Sequence, residues 1–125
     1  WIVENPVGAL SRLWRKPDAM FDPCDFGGYL DASDAHPLYP SVIPSRDAYR
    51  KRTCIWHGPE VAWPPSKPVQ PIVYHRTKAD GKQVAVSPLW IKLGGKTQRT
   101  KNIRSSTPRG FAKAIYLANA PRPRA

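Results

Sequence analysis

Proline is the residue that most constrains how this chain can fold. Fifteen of its 125 residues are proline, and a proline inside a helix or a central strand removes a backbone hydrogen bond. Long uninterrupted helices are therefore excluded. No apolar run approaches the ~18 residues that predict a membrane span, so no membrane partner is expected. The length suits one domain, which we predict over residues 1–125. Because the chain opens on Trp1 and its single methionine is Met20, we expect a partial domain from a longer polypeptide.

The first half of the chain alternates short apolar runs with breakers. Residues 1–30 are predicted to hold a buried strand that ends at Val3, then a turn at Glu4-Asn5-Pro6, and then a short helix. Residues 31–49 contain repeated X-Pro pairs and are predicted to form a loop that packs on the core.

The second half contains the clearest strand and the clearest helix. Residues 50–58 have a β-prone centre after a basic start, which predicts a strand. Residues 59–105 are predicted as a basic loop region, with a candidate hairpin whose turn is Asp80-Gly81. Residues 107–119 have apolar spacing near 3.6 and are predicted as the closing helix. Thr107 is the expected N-cap of that helix.

Positive charge increases along the chain, to a formal total of +11. Residues 90–125 hold nine basic residues and no acidic one, and such a field attracts polyanions, of which nucleic acid is the commonest. Cations on a glycine-containing backbone suit phosphate contacts. A solvated basic linker with no specific partner remains the alternative. The candidate phosphate-binding residues are Lys92, Lys96, Arg99, Lys101, Arg104 and Arg109.

Tryptophan offers a second possible contact with nucleic acid, because its ring can stack on bases. Tryptophan is, however, more often a core residue. The candidates for stacking are Trp14, Trp56, Trp63 and Trp90.

Glu4 is the first candidate for chemistry. A carboxylate at the end of a strand lies where open α/β sheets place their ligand crevice. With a raised pKa, such a group can hydrogen-bond or protonate a ring nitrogen. A strand-terminating Glu-Asn turn is also common as a purely structural feature, and this alternative stays open.

The two cysteines, Cys24 and Cys54, are too few for a disulfide framework, although one bridge is not excluded. Asp22 and Asp25 flank Cys24 and should raise its pKa, which disfavours a nucleophilic thiolate. Together with His36 and His57 the cysteines have the ligand types of a zinc site. No Cys-x2-Cys pair is present, so we predict no metal site and expect a buried Cys54 and an exposed His57 instead.

Several motifs, taken in order, resemble those of cytosine-5 DNA methyltransferases, and most closely the divergent methyltransferase-like proteins of bacteriophages and prophages. The first is Ile2-Val3-Glu4-Asn5-Pro6-Val7-Gly8, which is similar to the Glu-Asn-Val/Pro motif of these enzymes. The segments that follow it in the same order are Arg15-Lys16-Pro17-Asp18, Phe26-Gly27, Arg52-Thr53-Cys54-Ile55-Trp56 and the helix from Thr107 to Ala114.

The resemblance implies an α/β fold. The chain would form the C-terminal part of a Rossmann-like, adenosylmethionine-dependent methyltransferase sheet, with long proline-rich loops and a closing helix. In this family a cysteine thiolate attacks cytosine C6, and the motif glutamate holds and protonates N3 of a base extruded from the helix. By resemblance Glu4 takes that role, and Asn5 and Pro6 hold the turn. The cofactor loop and the Pro-Cys nucleophile would lie in an N-terminal half that precedes Trp1.

Two functions are therefore expected as alternatives. In the first, the chain is part of an enzyme that transfers methyl from S-adenosylmethionine to cytosine in DNA, and it is inactive alone. Its partners would be DNA and the N-terminal half of the same protein, in the cytoplasm of a bacterium or of a phage-infected host cell. In the second, the chain is a non-enzymatic, basic nucleic-acid-binding protein.

Overall fold

The computed structural model describes residues 1–121, so the last four residues of the predicted 1–125 domain lie outside the described part. Its strands are β1 (Ile2–Pro6), β2 (Ala19–Phe21), β3 (Thr53–His57), β4 (Tyr74–Thr77) and β5 (Gln83–Val86). Its α-helices are α1 (Leu10–Leu13), α2 (Pro88–Lys92), α3 (Gln98–Ser105) and α4 (Arg109–Asn119). A 3-10 helix, Pro23–Tyr29, and a short turn, Ser45–Asp47, complete the regular structure.

Strand β3 lies at the centre of a three-stranded sheet of order β1-β3-β2. It pairs antiparallel with both neighbours, placing Glu4 opposite Ile55 and Met20 opposite Cys54. Because β1 and β2 are each antiparallel to β3, they run parallel to each other. The predicted strand over residues 50–58 is therefore confirmed, with ordered pairing over Thr53–His57. Its first four residues are buried, as expected for a strand with neighbours on both sides.

Two details of the predicted first strand are wrong. The strand does not end at Val3 but continues through Glu4 and Asn5 to Pro6. The backbone N–H of Val7 donates to the carbonyl of Arg52, just before β3. Alternate residues of a strand face the same neighbour, so the nitrogen of Pro6 points to the outer edge. Proline therefore removes no bond from this ladder. Nor is the strand buried: Ile2 and Val3 are 40% and 39% exposed.

The first hydrophobic core lies between the sheet and helix α4. Phe111 of α4 stacks on Phe21 of β2 with ring centroids 4.1 Å apart. The helix approaches so closely that a Cβ on Gly110 would overlap the carbonyl oxygen of Phe26. The predicted closing helix is confirmed, but Thr107 is not its N-cap; the helix begins at Arg109 after Pro108. The core comprises Phe21, Phe26, Tyr29, Ile55, Phe111 and Ala114.

A second core corrects the prediction that residues 59–105 form a loop. Helix α2 is capped by Ser87, whose hydroxyl accepts from Leu89 N–H, and α3 by Thr97, which accepts from Thr100 N–H. Each helix is too short to be stable alone. Both helices pack against residues of the 31–49 segment. That segment is largely irregular and packs on a core, and both features match the prediction. The buried set is Val42, Ile43, Tyr49, Leu89, Leu93 and Ile103.

The predicted hairpin is confirmed. Strands β4 and β5 pair antiparallel with each other and form a separate two-stranded sheet. Gly81 has φ +82°, a left-handed conformation that glycine adopts without steric cost. The N–H of Lys78 donates to the carbonyl of Lys82, at 2.8 Å, and closes the turn.

All strand pairs in the described residues are antiparallel, within a small α/β fold. The Rossmann-like arrangement that the resemblance implies therefore stays a prediction. Within residues 1–121, no helix combines the length and the hydropathy needed to cross a bilayer.

Candidate active site and nucleic-acid interface

Glu4 is the central residue of β1 and is half-buried. Side chains alternate along a strand, so Glu4 shares a face with Ile2, towards Thr107 and helix α4. Burial raises the pKa of the Glu4 carboxyl, while Lys51 and the Thr107 hydroxyl oppose that shift. A carboxyl in this position can hold a proton more readily than an exposed one.

Lys51 is the functional candidate that the sequence analysis missed. It lies just before β3, and antiparallel pairing brings the start of β3 beside the end of β1. Its ammonium donates to the backbone carbonyl of Arg104 at the end of α3. Burial and Arg104 lower the pKa of Lys51, and Glu4 raises it. The basic start of the predicted strand was the available signal, but only the strand register places it near Glu4.

Asn5 follows Glu4 and holds the end of the strand. Its side-chain amide lies 3.4 Å from the backbone oxygen of Pro6, to which it donates. Asn5 also lines the same cleft as Glu4. Because Glu4, Asn5 and Pro6 all pair with β3, the predicted turn at these residues is wrong, and Asn5 does not shape one. Glu4 is left as the group with proton chemistry.

Two adjoining clefts open beside these residues, with volumes of about 340 and 420 Å³. They share Pro6, Lys51 and Arg104, so together they form one continuous surface, which we call the basic cleft. Among its lining residues Glu4 is the only acid. The basic side chains that line it are Arg50, Lys51, Lys101 and Arg104.

Two of the six predicted phosphate-binding residues, Lys101 and Arg104, line the basic cleft. Three others lie outside its lining. Lys92 donates to the backbone oxygen of Ser41 at 3.1 Å, Arg99 lies 6.0 Å from the ring centroid of Tyr39, and Lys96 is exposed between α2 and α3.

Arg109, the sixth, has a structural role that sequence analysis did not anticipate. Its guanidinium forms a bidentate ion pair with Asp34 at 2.8 and 2.7 Å. Arg109 lowers the pKa of the Asp34 carboxyl. The pair links the start of α4 to the 31–49 segment, and the Asp34 carboxylate neutralises the charge of Arg109. Arg109 is therefore a poor candidate for phosphate binding.

The candidate tryptophans differ in how much of the ring is exposed to solvent. Trp56 is fully buried, and its indole N–H donates to the backbone oxygen of Arg15 at 2.9 Å. Trp90 is 52% exposed and lines the basic cleft. The guanidinium of Arg76 lies 4.8 Å from its ring centroid. Trp14 and Trp63 are also exposed, at 48% and 38%, but of the four candidates only Trp90 lines the basic cleft.

Both cysteines are free and buried. Burial, Asp25 and Asp22 raise the pKa of the Cys24 thiol to about 11; the effect of the two carboxylates matches the prediction, and burial adds to it. Neither residue has the exposed, electropositive surroundings that a nucleophilic cysteine needs. Among residues 1–121, no three His, Cys, Asp or Glu side chains are grouped so as to hold a metal ion.

Comparison with known proteins adds no relative: the chain matches no family model, no curated protein and no solved structure.

Proposed function

We propose that this chain is the C-terminal part of a DNA cytosine methyltransferase-like enzyme, in which Glu4 holds N3 of an extruded cytosine. The observation that carries the proposal is the position of Glu4. Its half-buried carboxyl, with a raised pKa, lies in the middle of strand β1 and on the wall of the basic cleft. The ordered motifs described above point to the same residue.

The chemistry of Glu4 follows from its surroundings. A carboxyl with a raised pKa can donate a proton to a ring nitrogen, which makes the ring more electrophilic at carbon. Lys51 limits how far the pKa rises, so Glu4 can also return to the charged form. A general acid that is regenerated during a reaction must be able to exist in both the protonated and the charged form.

The basic cleft supplies contacts to the nucleic-acid backbone. Extruding a base costs stacking and pairing energy, and contacts to the flanking phosphates can offset that cost. Lys51, Lys101 and Arg104 lie beside Glu4 and offer such contacts. Trp90 adds an aromatic surface at the far end of the cleft.

The nucleophile belongs to another segment in this proposal, because Cys24 and Cys54 are both buried. The outer edge of β1 offers a place for that segment. The backbone groups of Ile2 and Glu4 point away from β3, and β1 runs parallel to β2. A parallel sheet that carries one antiparallel strand is a common arrangement, so the N-terminal half could continue the sheet at this edge.

S-adenosylmethionine, the methyl donor implied by the resemblance, combines a polar adenosyl group with a sulfonium cation. The cationic lining of the basic cleft does not fit a cation. A third cleft, of about 370 Å³ between β1 and α4, has mostly apolar walls, and its one acid is Glu4, which this proposal assigns to cytosine. The residues of this chain therefore do not fit the donor, and the proposal places its binding site in the N-terminal half.

The test uses the longest product of the reading frame that contains this chain, with duplex DNA and labelled methyl donor. We expect Glu4→Gln to lower kcat for cytosine methylation by about 10²- to 10⁴-fold, the usual contribution of a general acid. The affinity of the Glu4→Gln protein for duplex DNA should stay within about threefold of that of the unsubstituted protein. Asp31→Asn, at an exposed loop carboxylate, is the matched control. Full methylation by the Glu4→Gln protein contradicts the proposal.

The second candidate, a non-enzymatic nucleic-acid-binding protein, is favoured by the clustering of Lys51, Lys101 and Arg104 around one cleft. It predicts salt-sensitive DNA binding by the isolated chain, with no dependence on Glu4. Methylation by the longer product, lost in Glu4→Gln, separates the two functions.

A further inference from the structure

The hairpin formed by β4 and β5 contributes no residue to either hydrophobic core. All four residues of β4 are exposed. An isolated two-stranded sheet adds little stability of its own, so burial does not explain why the chain builds it. Its turn contains two cations, Lys78 and Lys82, beside one acid, Asp80.

The two faces of the hairpin differ. Residues directly opposite each other share a face, so Arg76 and Val84 lie on one face with Tyr74 and Val86. This inner face is partly covered: both valines are half-buried and Arg76 lies over Trp90. The other face is exposed and carries small or polar side chains. These outward residues are His75, Thr77, Gln83 and Ala85.

The foot of the hairpin adjoins the basic cleft. A small cleft of about 180 Å³ is lined by Ala85 and Val86 and shares Arg50 and Ser87 with the basic cleft. Adjoining clefts thus connect Glu4, along Lys51 and Arg50, to Ala85 at the foot of the outward face of the hairpin. A polyanion bound over Glu4 would pass this face.

We propose that the hairpin enters the major groove of duplex DNA and reads base edges through His75, Thr77 and Gln83. The major groove of B-form DNA is about 12 Å wide and admits a two-stranded ribbon, whose strands lie about 4.8 Å apart. Glutamine pairs with the N6/N7 edge of adenine, and threonine or alanine contacts the thymine methyl group. Lys78 and Lys82 contact the phosphates on either side.

The geometry favours duplex DNA over duplex RNA. The major groove of A-form RNA is deep and too narrow for side chains to read. A ribbon that presents short polar side chains along one face therefore matches the B-form groove. This inference rests on the proposed function, because it assumes that the polyanion over Glu4 is DNA, and it adds the element that selects the sequence.

The experiment selects binding sequences for the full chain from a library of randomised DNA duplexes. Affinity is then measured, at one fixed salt concentration, for the selected duplex and for a scrambled duplex of the same composition. We expect Gln83→Ala to reduce the preference for the selected duplex by about 5- to 100-fold, the range for loss of one bidentate base contact. Lys82→Ala is the control; it should weaken both duplexes equally and reduce the salt slope by about 1.

The outcomes separate this inference from the proposed function. If the chain binds duplex DNA but selects no sequence, or if Gln83→Ala keeps the full preference, the hairpin is not the reader and the inference is overturned while DNA binding stands. If the chain binds an RNA duplex of the same sequence equally well, the inference is overturned. If the chain does not bind duplex DNA at all, the inference is also overturned, and this result counts in addition against DNA as the substrate. Gln83 is exposed, so its substitution leaves the fold intact.

Discussion

The molecule contains two antiparallel sheets that differ in almost every physical respect. The three-stranded sheet is centred on β3, where Ile55 and Trp56 are completely buried, and helix α4 covers one of its faces. The β4-β5 hairpin contributes to neither hydrophobic core; it is closed by its turn and its own ladder, and only its inner face is partly covered, where Arg76 lies over Trp90. The first sheet therefore depends on a packed core, whereas the second depends on its turn and on a few contacts along one face. The outward face of the hairpin is consequently free to meet a partner.

The largest expected effect breaks the packed sheet. Phe111→Ala removes a ring that is 3% exposed and stacks on Phe21, so the free energy of unfolding should fall by about 3–5 kcal/mol. Chemical denaturation measures the change. Tyr116→Ala, on the same helix but 68% exposed, should change it by less than about 0.5 kcal/mol. Equal effects of the two substitutions would contradict the assignment of the core.

A smaller, local effect should break only the hairpin. Gly81→Ala forces a side chain into a left-handed conformation, which costs about 1–2 kcal/mol. Hydrogen exchange of the β4 and β5 amides should accelerate about 5- to 30-fold, while the global unfolding midpoint stays the same. Gly94→Ala is the control, because its φ is not positive and a Cβ there meets no neighbour. A lowered global midpoint would show that the hairpin belongs to the cooperative core.

The smallest expected effect concerns Asp18, beside the three-stranded sheet, and the pH dependence of the free energy of unfolding. Asp18 accepts hydrogen bonds from Arg15, at 2.9 and 3.0 Å, and from the His57 N–H at the end of β3. These bonds lower its pKa from 3.8 to about 2. A carboxyl with a lowered pKa in the folded state stabilises the protein above its unfolded-state pKa. That stability is lost as the pH falls from about 4 towards 2.

Asp18→Asn should therefore flatten the dependence of the unfolding free energy on pH between 4 and 2, as measured by denaturation at a series of pH values. Asp31→Asn, at an exposed loop carboxylate, provides the reference curve. An unchanged slope in the Asp18→Asn protein would mean that the Asp18 contacts do not hold the sheet in solution.

Elements with strong local signals were predictable from the sequence. Strand β3, the Asp80-Gly81 hairpin and the body of helix α4 each depend on residues within a few positions of one another, and each is present. Helices α2 and α3 also carried capping residues, Ser87 and Thr97. Their few buried residues pack against the 31–49 segment, and no local pattern reveals so distant a partner.

The candidate site shows the same division. Glu4 was singled out from local features, its motif and the apolar residues before it, and its role in catalysis stays a prediction. The proximity of Lys51 to Glu4 depends on strand register. Arg109 forms an ion pair with Asp34, which lies far from it in the chain. Charge counts treated all six basic candidates alike, because a count does not distinguish a paired cation from an available one.

Short stretches of the chain were enough to predict the breakers, the turn at Gly81, the central strand and the rise of positive charge towards the C-terminus. These properties belong to single residues and short windows. The folded arrangement determines which cations surround Glu4, which tryptophan lines the basic cleft and which hairpin face points outward. The physical reason is that burial and ion pairing depend on groups distant in the chain, and folding alone brings those groups within reach of each other.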